Sequence, residues 1–348
     1  MRIAQVAPLF VRIPPERYGG TERVVQALTE ALVERGHEVT LFAAGGTRTS
    51  ATLHATTPAP LWEMGISDPL AYRVLQVEEL VARSAAFDLI HSHLDYLPWL
   101  AGERLRAPVI TTMHSRLDRL ELRPLFSCMA RWPLVSISDA QRRPVSDLDL
   151  NWLATVHNGL DLASTYSLGR GDGGHLVFLG RIAPEKNPVL AIQIATRAGV
   201  PIKIAARIDR ADEEYFESQM RPLLSHPLVE WIGEQDDRAK NELLGSARAL
   251  LMPVDWDEPF GLTFIEALAC GTPVISSPRG SLPEIVRHGL DGFLFNDGEA
   301  LVRACREVVK LDRHSCRQRV LERFSSQRMV ESYEHAYSAL LAGDLVAA

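Results

Sequence analysis

Four cysteines in 348 residues, Cys128, Cys270, Cys305 and Cys316, are too few for a disulfide framework and lack the paired spacing of a zinc site. Reduced, mostly buried thiols in a cytoplasmic protein are the expected state. No apolar run approaches the ~18 residues that a membrane-crossing helix needs, and Met1-Arg-Ile-Ala-Gln-Val-Ala-Pro8 enters a strand pattern with no basic leader or cleavage site. Secretion and membrane spanning are therefore not expected. Positive charge is also short: the net charge of −7 excludes general nucleic-acid binding, which needs a basic face. A nucleotide needs only a local cationic pocket. Glycine clusters only at Gly169-Arg-Gly-Asp-Gly-Gly174, and neither glycine nor proline occurs between Gly298 and Gly343. No repeat of solenoid period is present.

What is there is an alternation of short apolar strands and amphipathic helices, long enough for two domains of ~100–200 residues. The opening strand Ile3 to Ala7, a helix with Val24, Leu28 and Leu32 on one stripe, and the strand Glu38 to Ala43 form a parallel β-α-β unit. Gly19-Gly20 stands after the first strand and before its helix, where open α/β sheets bind ligands. Further strands are predicted at 88–92, 108–112, 133–137 and 153–156. The glycine cluster is read as the linker between residues 1–168 and 175–325. The second half repeats the pattern: a strand to Leu179, a helix Pro188 to Ala198, a strand Ile202 to Ala205, a helix from Asp212, a strand Leu228 to Ile232, a helix Asp237 to Ser246 and a strand Ala249 to Met252. A long amphipathic tail, Glu299 to Leu341, follows.

The stretch most suggestive of a site runs from Asp255 to Ile275. Pro259 holds Glu258 in an extended loop, Gly261 permits close backbone approach, and a helix is predicted from near Thr263 to Cys270 with Gly271 as its stop. Glu258 and Glu266 then flank the free N–H groups of a helix start, a setting for sugar hydroxyls or an anion. Upstream, Phe178-Leu-Gly-Arg-Ile-Ala-Pro-Glu-Lys-Asn-Pro188 offers Arg181 and Lys186 on one loop, a guanidinium fork and a point ammonium suited to a diphosphate.

E-P-F-G-L-T-F-I-E followed by A-C-G-T-P-V-I, with G-R-x-x-x-E-K upstream, resembles family 4 of the retaining glycosyltransferases over nearly the whole chain. The loop P-P-x-x-Y-G-G-T-E at residues 14–22 resembles a subgroup that includes enzymes of oligosaccharide-antibiotic assembly. The resemblance implies the GT-B fold: two Rossmann-like α/β domains facing across a cleft, with the last helix, 326–348, crossing back to the first. It implies a nucleotide-diphosphate sugar donor (UDP-glucose type first, GDP-mannose next), a carbohydrate, lipid or small-molecule hydroxyl acceptor, and no cofactor or catalytic metal. Arg181 and Lys186 would hold the diphosphate, Glu258 the hexose hydroxyls and Glu266 the ribose. The N–H groups of Phe260, Gly261 and Leu262 would face the sugar, Gly19 and Gly20 the donor phosphate and acceptor, and His114 the donor sugar near the reacting centre. Ala206, Arg207 and Asn187-Pro188 depart from the family's glycines.

Other readings were weighed from the residues. His91, His93 and Asp95 have the makings of a metal pair only if the strand continues and further ligands exist. Asp255-Trp-Asp257 and Asp147-Leu-Asp149 spell the D-x-D of unrelated metal-dependent transferases, out of context. Arg116 to Arg131 mixes arginines with leucines as in a membrane-docking patch, but Asp118 and Glu121 dilute the charge and favour a solvated helix face. The competing functions are an epimerase or hydrolase of nucleotide sugars and a non-catalytic nucleotide-sugar binder.

Overall fold

The computed structural model describes residues 1–17 and 19–343; Tyr18 of the glycine loop and residues 344–348 of the expected final segment lie outside the described residues. The chain forms two compact units, Met1–Leu160 with the segment from Ser326, and Asp161–Ser325.

The first unit is built on β1 (Arg2–Val6), β2 (Glu38–Ala44), β3 (Thr52–Thr57), β4 (Leu89–Ser92), β5 (Val109–Met113), β6 (Leu134–Ser136) and β7 (Trp152–Thr155). All pair in parallel in the order β3-β2-β1-β4-β5-β6-β7. Helix α1 (Gly20–Glu34) buries the Val24, Leu28 and Leu32 stripe, as its 3.6-residue period requires. Helix α2 (Leu70–Arg83), which the sequence reading does not assign, buries only Gln76, Val77 and Leu80. Residues 116–131 are not one helix face: a 3₁₀ turn Leu120–Leu122 leads into the short helix Arg123–Cys128. Arg116 pairs with Asp118, Arg119 with Glu121 and Arg123 with Asp147.

The second unit holds β8 (Leu176–Ile182), β9 (Ile202–Ile208), β10 (Val229–Trp231), β11 (Ala249–Met252), β12 (Val274–Ser276) and β13 (Gly292–Leu294), parallel in the order β10-β9-β8-β11-β12-β13. Its longer helices are α3 (Pro188–Ala198), α4 (Asp237–Ser246), α5 (Leu262–Ala269), α6 (Gly298–Glu307) and α7 (Arg313–Phe324). The glycine cluster lies inside this unit. Gly169, Gly171 and Gly173 donate backbone hydrogen bonds to Cys270, Gly245 and Ser246 at 3.0, 3.0 and 2.9 Å. A Cβ on Gly169 would stand 2.0 Å from the Gly245 carbonyl oxygen, so that glycine serves close packing. The tail is broken where the sequence reading runs on. Leu311 is extended, Asp312 caps α7 by accepting from the His314 and Ser315 N–H groups, and Ser325 is extended again. Helix α8 (Ser326–Ala342) then joins the first unit against α1 and β7. Among the described residues no helix is long and apolar enough to cross a membrane.

Candidate active site

Strand order decides where side chains can converge. In the second unit the chain builds β8, β9 and β10 outward in one direction and then returns to place β11 on the other side of β8. The loops after β8 and β11 diverge at that switch point and leave a crevice at the carboxyl ends of the strands. Those loops carry Ala183 to Lys186 and Asp255 to Gly261, and the Asp255 N–H donates to the Glu185 carbonyl at 2.9 Å.

Lys186 and Glu258, 72 residues apart, form an ion pair, with the Lys186 ammonium 4.7 Å from the Trp256 ring centre. Glu258 is 7% exposed. Its loop is laced to the one after β12: Ser281 donates its N–H to the Glu258 carbonyl at 2.9 Å and its hydroxyl to the Phe260 carbonyl at 2.7 Å. Gly280 has φ 54°, and a Cβ there would come 2.3 Å from the Glu258 carbonyl oxygen. Gly261, at φ 88°, caps α5; a Cβ there would meet the Phe264 ring at 2.5 Å and the Glu258 side chain at 3.1 Å. Only glycine fits such a junction.

Arg181 lies inside β8 rather than beyond it, because β8 and β9 pair through Gly180↔Ala206, Arg181↔Arg207 and Ile182↔Ile208. Its guanidinium donates to Asp212 at 2.7 Å and Glu185 at 2.6 Å, with Asp209 at 3.8 Å. Arg207 pairs with Asp209 at 2.5 Å. Ala206 is a buried strand residue, so its methyl is taken up by the sheet. The cations read from the sequence are thus held by carboxylates.

Glu266 sits in the second turn of α5, not its opening turn, and is 4% exposed. Lys240 of α4 donates to its Oε1 at 3.0 Å and lies 3.1 Å from Asp237. Sequence reasoning missed Lys240. The signal was its place on the stripe with Leu243 and Leu244, where α4 buries its face. A cavity of about 630 Å³ opens beside these loops, lined by Asn187, Asp255, Asp257, Ser277, Arg279 and Asn296 among others, on a flank that touches neither Glu258 nor Glu266. The D-x-D carboxylates are committed there: Asp255 pairs with Arg279 at 2.9 Å and Asp257 accepts the Gly280 N–H at 3.0 Å.

In the first unit the switch point falls between β1 and β4. Gly19, φ 144°, precedes the first residue of α1, Gly20, and a Cβ on Gly19 would clash with Pro15 at 2.8 Å. Glu22 folds back against Gly19, and burial pushes its carboxyl up to about 7. His114 follows β5, and its Nε2 is 2.8 Å from Nδ1 of His93. His93 Nε2 in turn lies 2.8 Å from the side-chain amide oxygen of Gln5, Oε1. His91 contacts the hydroxyls of Tyr337 and Thr112, each at 2.7 Å, and Thr112 contacts Tyr333 at 2.9 Å. Burial lowers His114 to about 4 and holds His91 and His93 well below the usual imidazole range. Asp95 follows β4 at φ 51° with its Oδ1 sealed and unpartnered, and burial raises its carboxyl. His114 bonds His93, and the Gln5 side chain links His93 to His91; no metal-holding group of His, Cys, Asp and Glu occurs among the described residues.

Two parallel α/β units, each with a switch-point site, define a GT-B glycosyltransferase. The sequence matches the profile of Glycosyl transferases group 1 at residues 168–323 and that of Glycosyltransferase Family 4 at residues 18–164, and the chain belongs to glycosyltransferase family 4. Among curated relatives it is 26% identical to the phosphatidyl-myo-inositol mannosyltransferase of Mycobacterium leprae (strain TN), covering 92% of this chain and 90% of that one. It is 27% identical to the alpha-maltose-1-phosphate synthase of Mycobacterium tuberculosis (strain CDC 1551 / Oshkosh), covering 83% and 84%. Its fold is similar to that of AviGT4, a glycosyltransferase involved in avilamycin A biosynthesis, with a TM-score of 0.74, 23% identity and 98% of both chains covered. It is also similar to Anabaena Alr3699/HepE in complex with UDP and glucose, with a TM-score of 0.76, 18% identity and 97% and 100% covered.

Proposed function

We propose that this glycosyltransferase moves a hexose from a nucleoside-diphosphate sugar to a hydroxyl acceptor, with retention of anomeric configuration and without a metal. The observation that carries the reading is the switch-point crevice where the Lys186–Glu258 pair meets the glycine-capped start of α5. Glu258 accepts hydrogen bonds from hexose hydroxyls, and Glu266 from the ribose. Arg181, Lys186 and the N–H groups of Phe260, Gly261 and Leu262 stabilise the charge that grows on the leaving diphosphate, so fixed dipoles and cations do what a metal does elsewhere. Each phosphate of the donor carries one negative charge, as a carboxylate does, so exchanging carboxylate for phosphate at Arg181 and Lys186 conserves charge, and the phosphate oxygens suit the guanidinium fork. The commitment of Asp255 and Asp257 to Arg279 and Gly280 supports metal independence. In the first unit, Gly19 and Gly20 lie against donor phosphate and acceptor. His114, neutral because it is buried, serves the donor sugar as a hydrogen-bonding group, not a cation.

The donor is of the UDP-glucose type, with GDP-mannose next; the relatives' names span mannosyl transfer and maltose-1-phosphate synthesis, and a neighbour binds UDP and glucose. The acceptor is a carbohydrate, lipid or small molecule bearing a free hydroxyl. The test is a thermal-shift panel of UDP, GDP, ADP and dTDP with their hexose derivatives, with and without EDTA. Saturation at ~100 times Kd adds about 2.7 kcal/mol, a shift of a few degrees. One base family should stabilise the protein equally in both buffers. No shift with any nucleotide overturns the reading; a shift abolished by EDTA overturns its metal independence.

A further inference from the structure

We propose that Lys240 is the residue that makes the second unit selective for ribonucleotides, by fixing the Glu266 side chain with one carboxylate oxygen committed and the other presented to the ribose diol. The inference rests on the donor reading above. Lys240 and Glu266 come from facing helices, α4 and α5, and their side chains are 10% and 5% exposed. A lysine at that depth has no solvent to satisfy it, and its ammonium is spent on Glu266 Oε1 at 3.0 Å and Asp237 at 3.1 Å. Glu266 Oε2 has no hydrogen-bond partner among the described residues.

The arrangement has a definite chemical outcome. An ionised carboxylate offers acceptor sites only, and here one oxygen is taken. The remaining oxygen has two lone pairs, enough for the two adjacent hydroxyls of a ribose. Removing Lys240 takes away the partner that fixes Glu266 Oε1 and frees the side chain to turn. Lys240 is therefore a positioning residue: it acts through Glu266 and need not touch the nucleotide. A lysine serving only to glue α4 to α5 would weaken every nucleotide alike. A lysine that positions Glu266 changes the ratio between nucleotides with and without the diol.

The experiment measures the dissociation constants of UDP and GDP against their 2′,3′-dideoxy forms by calorimetry, in the wild type, Lys240→Met, Lys240→Arg, Glu266→Gln and the Lys240→Met/Glu266→Gln double variant. The wild type should prefer the riboform of its nucleotide by roughly ten-fold or more, as expected for hydrogen bonds to a charged group. Lys240→Met should bring that ratio close to one, Lys240→Arg should retain most of it, and in the Glu266→Gln background the lysine change should have no further effect. A folded Lys240→Met protein that keeps the wild-type ratio overturns the proposal and leaves the donor reading standing. A wild type that binds neither nucleotide overturns both. Should Lys240→Met fail to fold, Glu266→Gln and the double variant, which buries no charge at this pair, carry the test: they must share one ratio, and a further loss in the double variant refutes the role.

Discussion

Glu22 is a carboxyl buried at the start of α1, held at about 7 by desolvation. The unfolded chain releases that proton near the ordinary glutamate value of ~4.3. Between ~4.3 and 7 the folded state therefore binds more protons than the unfolded state, and stability falls as pH rises through that window before levelling off above it. Glu22→Gln should raise the urea-unfolding free energy at pH 8 by roughly 2–3 kcal/mol and change it little at pH 4.5. An equal change at both values would show that lost contacts, not ionisation, set the effect. Gly261 makes a second prediction at this scale. Gly261→Ala meets both a positive φ and the Phe264 ring, so a loss of at least ~1–3 kcal/mol is expected, read from the same urea curves, together with a large loss of turnover. A third concerns the two glutamates: Glu266→Ala should weaken free UDP, whereas Glu258→Ala should spare UDP and impair transfer. Equal loss of UDP affinity in both would sink that division of labour.

At the scale of elements, legibility followed how completely a segment states its own boundaries. Helix α3 matches its predicted range because Pro188 opens it and Gly199, at φ 70°, closes it. Helix α4 matches because Asp236 caps it by accepting the Ala239 N–H. Strand β3 and helix α2 escape because neither carries a clean stripe: Thr52–Thr57 is an edge strand with one fully buried residue, and α2 leaves Leu70, Val74 and Leu75 exposed. The crevice residues Glu258 and Lys186 were readable from their motifs, yet their pairing was not, since nothing local encodes a contact 72 residues apart. The glycine cluster misled for a physical reason: glycine marks close backbone contact as readily as flexibility. Arg313 explains the contact, donating to the carbonyls of Gly169, Gly245, Ala247 and Cys270 and to the Thr272 hydroxyl. Arg313→Ala should strip all five and cost roughly 3 kcal/mol or more, with hydrogen exchange rising at 169–174 and 245–247.

At the scale of the whole molecule, pH acts through three histidines, the buried His91 and His93 and the half-buried His114. His91, His93 and His114 are neutral in the folded state and protonate near 6.5 in the unfolded chain. The unfolded state binds more protons below ~6.5, so stability is lost as pH falls from there toward 4, and these three oppose and outweigh Glu22. Melting temperature should drop steeply between pH 6.5 and 4. Their network ends on Tyr333 and Tyr337 of α8, so a chain stopped at Ser325 should lose that protection and melt its first unit at lower temperature, while 161–325 keeps its own transition by calorimetry.

That same helix sets an order of assembly. The first unit is interrupted by the entire second one, and the tyrosines that complete its buried network are made only after that second unit. On the ribosome, 161–325 can close on itself as soon as it emerges, while β1–β7 wait for α8. At ~5–20 residues per second that interval is on the order of ten to thirty seconds. Through it, His91 lacks the Tyr337 hydroxyl that it bonds in the finished unit.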